Sequence, residues 1–190
     1  MFLVMGITGK VGSATAEHLL AQGEEVRALV RNREKAADWA NRGVELVDGD
    51  WNDSAAIEKA LKGVEGAFIM LPAVWAPSPD YKEAKGMIAN YVEALTKAVP
   101  PRVVALSSMG ANRTSGVGMI TALSLLERAL VQMGGSVIVR TVRWLFGAAR
   151  WPDSWAWKIC SRGGTSTARS SSCACGGICA SSSASGTWWR

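Results

Sequence analysis

The sequence predicts an α/β protein: a doubly wound parallel sheet with helices on both faces. Three observations predict it. Six short apolar runs alternate with five helical segments through the first 140 residues. The first run leads straight into three evenly spaced glycines and then an amphipathic helix. Several runs are continuously apolar rather than alternating, as strands covered on both faces require.

Phe2 to Met5 reads as a buried strand, and Gly6, Gly9 and Gly12 follow at i, i+3 and i+6. A helix is expected from about Lys10 to Ala21. Strand, glycine turn and helix together present backbone N–H groups and a helix N-terminus to a phosphate. Gly6 would allow the tight turn, Gly9 the approach of a pyrophosphate, and Gly12 close packing of helix on strand. The spacing is G-x-x-G-x-x-G rather than the commoner G-x-G-x-x-G. Its place between a first strand and a first helix favours dinucleotide binding over a merely structural turn.

Gly23 ends that helix, and Val26 to Val30 is the second strand. Arg31, Asn32 and Arg33 stand at its end, about twenty residues past the glycine turn. An Asp or Glu there would hold the ribose 2′-hydroxyl of NAD. With arginines instead, and Lys35 nearby, the expectation is a 2′-phosphate and hence NADP, with NAD still possible. An ordinary charged loop is the plainer alternative.

A second helix is expected over Glu34 to Asn41, and a third strand over Val44 to Val47. In the following DGDWND, Asp48 or Asp50 faces the crevice where ligands bind in open α/β sheets. Asp50 is suited to the adenine amino group. Asp53 and Ser54 read as the N-cap region of a helix running to about Leu61. Gly66 to Leu71 is the fourth strand, stopped by Pro72. The loop AVWAPSPD carries Trp75, a lid candidate or a packed loop residue. A long helix runs from about Tyr81 to Ala98. Tyr81 and Tyr91 receive no proton-transfer role. Val103 to Leu106 is the fifth strand, ending in serines, with Ser107 where a nicotinamide would rest. A helix over Gly118 to Met133 and a strand over Val137 to Arg140 complete the pattern.

Composition narrows the function. A chain of 190 residues defaults to one domain with a real core. No secretory leader is expected, because Phe2 to Met5 is short and meets turn glycines at once. No window holds the roughly 18 apolar residues a membrane helix needs. The expectation is a cytoplasmic protein with no membrane contact. The net charge is +5, but residues 151–190 carry four basic residues against one Asp. The rest is nearly balanced and shows no basic stripe, so no nucleic-acid partner is expected. Cys160, Cys173, Cys175 and Cys179 lack paired C-x-x-C spacing, and the single histidine, His18, is far away, so no metal site is expected.

The pieces GITGKVG, ALVRN, VDGDWND, AFIMLP, VVALSSMGA and LLERAL resemble the NmrA-like branch of the atypical short-chain dehydrogenase/reductases, over about residues 1–140. The branch holds NADP-dependent quinone and dye reductases, and redox sensors that bind the dinucleotide without turnover. The resemblance implies a Rossmann domain over residues 1–140. It implies NAD(P) lying across Gly6, Thr8, Gly9, Lys10, Val11 and Gly12. The 2′-phosphate would lie near Arg31, the adenine near Asp50 and Trp51, and the nicotinamide near Leu71, Pro72 and Ser107.

One departure bears on chemistry. Many superfamily members place a Tyr and a Lys eight and four residues before a glutamate matching Glu127. Here those positions are Met119 and Leu123, and neither moves a proton. No catalytic residue is assigned. Hydride transfer to a quinone-like acceptor that takes its proton from water is the enzymatic expectation. A non-catalytic redox sensor is the alternative. The partner is then a small-molecule electron acceptor or a regulatory protein.

Residues 141–190 do not continue the pattern. Residues 151–190 hold no Leu, Val, Met or Phe, but ten Ser and five of the nine Trp. A G+C-rich gene read out of frame yields such a composition. An unstructured native tail is the other expectation. A substrate lobe would then be missing or garbled.

Overall fold

The computed structural model describes residues 1–113 and 115–133, and the backbone of 137–141. The expectations for the tail beyond Thr141 lie outside the described residues.

Six parallel strands form one sheet in the order β3-β2-β1-β4-β5-β6. They are β1 (Phe2–Met5), β2 (Val26–Val30), β3 (Glu45–Asp48), β4 (Gly66–Ile69), β5 (Val103–Ser107) and β6 (Val137–Thr141). The helices are α1 (Lys10–Ala21), α2 (Ala37–Asn41), α3 (Ser54–Leu61), α4 (Lys82–Ala98) and α5 (Ile120–Met133). This is the doubly wound Rossmann order. The chain steps outward from β1 to β3, then crosses back to β4 on the other side of β1. The order therefore reverses between β1 and β4, and a crevice opens beyond their carboxyl ends.

Side-chain parity sorts the core. Leu3, Met5, Ala67, Ile69, Val103 and Ala105 point to one face, where they meet Ile57, Leu61, Tyr91, Leu95, Leu126 and Leu130 of α3, α4 and α5. Leu3 and Leu130 are completely buried. Burial of each such leucine contributes about 1.5–3 kcal/mol. Val4 and Ala28 have the opposite parity and are also completely buried, with Ala16 and Leu19 of α1 on that side.

Several boundaries move from the expected places, each for a local reason. The second helix divides into a 3₁₀ turn (Glu34–Ala36) and the short α2. Asn32 Oδ1 accepts the Lys35 N–H and starts the tighter turn. Strand β4 ends at Ile69, two residues early, because the Met70 carbonyl accepts from the Tyr91 hydroxyl at 3.0 Å. Asp53 caps α3 as expected, accepting from the Ala55 and Ala56 N–H groups. Tyr81 and Val99, at the two ends of α4, hold left-handed conformations with φ of 56° and 45°.

Candidate functional site

The glycine turn is built by contacts with almost no slack. Gly6 has φ +70°, which favours glycine. The Gly9 N–H closes the turn on the Gly6 carbonyl at 2.9 Å. A Cβ on Gly12 would lie 2.1 Å from the Gly6 oxygen. Glycine at position 12 is therefore what lets α1 descend onto the end of β1. A Cβ on Gly9 would lie 3.3 Å from the same oxygen, a tight contact that needs a shift of a few tenths of an ångström, far less than at Gly12. It stands at the N-cap, exposed, where added bulk would cover the mouth of the helix.

The start of α1 carries no side-chain cap and no acid in its first turn. Helix α3 satisfies the same need internally through Asp53. At α4, Ser78 Oγ and Asp80 Oδ1 both accept the Lys82 N–H. The first N–H groups of an α-helix have no partner within it, and the macrodipole adds partial positive charge there. The turn thus has the donors and the backbone clearance that a pyrophosphate requires, and the residues present fit a dinucleotide.

Three expected residues meet at the ends of β2 and β3. The Arg31 guanidinium lies over the Trp51 ring, 4.9 Å from its centroid, and its Nε is 3.8 Å from Asp50 Oδ2. Asp50 Oδ1 accepts from the Asn52 backbone and side-chain amides. The buried Trp51 Nε1 has no hydrogen-bond partner among the described residues. Arg31 remains 61% exposed and can turn toward a ligand.

Arg33 behaves differently from the expectation that it shares a 2′-phosphate with Arg31. Its Nε and Nη2 grip the Asp48 carboxylate, and Nη2 also donates to the Leu46 carbonyl. The hydrogen bond from Arg33 holds the Asp48 carboxyl below the usual carboxylate range. Arg33 and Asp48 therefore brace the β2 and β3 ends against each other, and Arg31 is the arginine left facing the crevice.

On the other side of the crevice, Leu71 is buried and Pro72 half-buried after β4. Ser107 is buried at the end of β5, and its hydroxyl donates to Glu127 of α5. Thr8 and Lys10 lie exposed at the turn, and Val11 is half-buried.

Three supporting residues escape sequence reading. A Cβ on Gly49 would strike Ala56 Cβ at 2.5 Å and Leu29 Cδ1 at 2.8 Å, so glycine is needed to deliver Asp50 and Trp51. Met70 places its sulfur 2.7 Å from where a Gly6 Cβ would stand, backing the turn. Asn90 Nδ2 donates to the Trp51 carbonyl at 3.4 Å. The only signal for Gly49 was its place in the DGD turn. Met70 and Asn90 carried none.

Residues 6–131 match the family model described as NAD(P)H-binding. The chain belongs to that family. Among its relatives is quinone oxidoreductase 2 of Escherichia coli, 28% identical over 137 residues, which are 70% of this chain and 45% of that one. The structure of triphenylmethane reductase from a Citrobacter species superimposes with a TM-score of 0.66 at 25% identity, over 76% of this chain and 50% of that one. The NADPH complex of the E. coli NADPH-dependent quinone oxidoreductase gives 0.64 at 25% identity, over 76% and 49%. The chain spans no more than about half the length of these relatives. The fold of this NAD(P)H-binding chain is therefore that of the reductases over its matched part. No helix among the described residues is long and apolar enough to cross a membrane.

Proposed function

We propose that this chain binds NADP(H) and, when it acts as an enzyme, passes hydride to a quinone-like acceptor. The observation that carries the cofactor reading is the pairing of an uncapped α1 with an exposed Arg31 at the end of β2. Gly6, Thr8, Gly9, Lys10, Val11 and Gly12 cradle the pyrophosphate. Arg31 meets the 2′-phosphate. Asp50 and Trp51 line the adenine side, with Trp51 Nε1 as a donor still to be satisfied. Leu71, Pro72 and Ser107 border the nicotinamide end.

When bound, the dinucleotide supplies the hydride; the chain's own residues position and shield it. Leu71 and Pro72 give that end an apolar wall that keeps water off. Met119 and Leu123 offer no proton, so an acceptor reduced here takes its proton from water. This suits a quinone better than an alcohol or sugar. The matched quinone and dye reductases support the acceptor class.

A second reading, an NmrA-like sensor that reports NADP occupancy to a regulatory protein, is favoured by one observation. The Ser107 hydroxyl hydrogen is engaged by Glu127, and no other acid–base group is assigned to the nicotinamide end. Calorimetric titration with NADPH and with NADH, followed by NADPH oxidation with menadione, separates the readings. Preference for NADPH with steady turnover is expected of the reductase. Tight binding without turnover identifies the sensor, and no binding of either dinucleotide overturns both.

A further inference from the structure

The loop between β4 and α4 is anchored at both ends and apolar between them. Its start is pinned by the Tyr91 hydroxyl on the Met70 carbonyl, with the Met70 side chain against Gly6 of the dinucleotide turn. Its end is pinned by Tyr81, whose hydroxyl donates to the Gly118 carbonyl of the β5–α5 loop at 3.0 Å. The loop therefore spans from the glycine turn to the next crevice loop. Leu71 to Pro77 is an unbroken apolar run, LPAVWAP. Val74 packs against the core, whereas the neighbouring Trp75 is 86% exposed.

The polar side chains of this loop are already engaged. Ser78 donates to Glu83 Oε2 and accepts the Lys82 N–H, and Asp80 accepts from Lys82 as well. No polar side chain lies between Leu71 and Pro77 to read hydroxyls or charges. Met109, on the β5–α5 loop that Tyr81 clasps, is 55% exposed. Two of the four large exposed hydrophobic residues among those described thus stand on the two loops above the carboxyl ends of β4 and β5.

We propose that Trp75 is the stacking platform of the acceptor site and determines its specificity for planar, apolar, electron-poor rings. An indole face is electron-rich and stacks on such rings. This rests on the reductase reading, and adds which residue selects the acceptor.

The test uses the full chain loaded with NADP⁺, which has no hydride to give, so menadione binding is read without its reduction. Menadione affinity is compared among wild type, Trp75→Ala and Trp75→Phe, with NADPH affinity measured for each. Trp75 is exposed, so neither variant endangers the fold. The expected result is an affinity about tenfold weaker for Ala, within threefold of wild type for Phe, and constant NADPH binding. Unchanged menadione affinity in Trp75→Ala overturns the platform and leaves the reductase reading standing. Loss of NADPH binding in Trp75→Ala places the residue in the cofactor site and also overturns it. A wild type that binds NADPH but no menadione overturns platform and acceptor reading together.

Discussion

Gly12 and the Gly6 carbonyl meet so closely that no side chain fits between them: a Cβ on Gly12 would sit 2.1 Å from the Gly6 oxygen and 2.4 Å from its carbon. Both partners are backbone, so neither can move aside without breaking the turn or lifting α1 from β1. We predict that Gly12→Ala lowers folding stability by about 3 kcal/mol or more, a large share of a typical domain's margin. Urea unfolding checks it. Gly9→Val is the complement, because a Cβ there lies 3.3 Å from the Gly6 oxygen and needs only a small adjustment of the turn. That variant should keep the wild-type circular dichroism spectrum and give no heat on titration with NADPH. Unchanged NADPH affinity in Gly9→Val would show that the phosphate does not lie over the helix start.

Arg31 and Arg33 are two residues apart and have different roles. Arg31 touches Asp50 only at 3.8 Å, whereas Arg33 makes paired hydrogen bonds to Asp48. Arg31→Ala should weaken NADPH by about 1.5–3 kcal/mol, the usual worth of a charged hydrogen bond to phosphate, and NADH much less. Arg33→Ala should leave the NADPH-to-NADH ratio unchanged. Calorimetry on both variants decides it; equal losses for the two dinucleotides in Arg31→Ala would remove that arginine from the 2′-phosphate.

These two cases show where the sequence was legible. The glycine turn, the strands and the arginines after β2 all lie in short local patterns, and local geometry fixes their placement. Arg31, Asp50 and Trp51 were expected at one end of the sheet because each follows a strand or its turn. The division of labour between Arg31 and Arg33 was not legible, because it depends on Asp48 lying opposite across the β2–β3 pair. Gly49 matters through contacts with Ala56 across a helix start and with Leu29, and Met70 through its contact with Gly6; Leu29 and Gly6 lie far from their partners in sequence. The early end of β4 likewise depends on Tyr91, 21 residues on.

Tyr91 makes the fold sensitive to alkali. Burial, and secondarily the charge of Asp50, push its hydroxyl well above the ordinary tyrosine value of 10. A group whose pKa is raised on folding contributes stability that is complete below the unfolded value and lost as pH rises beyond it. Stability should therefore fall above about pH 10, in the range where unfolded tyrosines ionise. Tyr91→Phe should flatten that fall and cost about 1 kcal/mol at neutral pH, since the Met70 carbonyl loses its donor. Thermal melts from pH 7 to pH 11 test both; an identical alkaline slope in the variant would assign the loss to another group.

Val99 ends α4 in a conformation that glycine would hold without strain. Its φ is 45°, its N–H bonds the Leu95 carbonyl, and its side chain is 71% exposed. Pro100 follows and disfavours a right-handed helical conformation at Val99, so the helix ends here. For a β-branched residue that conformation costs about 1–2 kcal/mol. An exposed valine gives little packing in return. Glycine would remove the strain but give the unfolded chain more freedom, which costs about 0.5–1 kcal/mol. The net expectation for Val99→Gly is a gain of about 0.5–1 kcal/mol in urea unfolding, with NADPH affinity unchanged because the amino ends of the strands face away from the crevice. A loss of stability would mean that the valine side chain makes a contact outweighing its backbone strain.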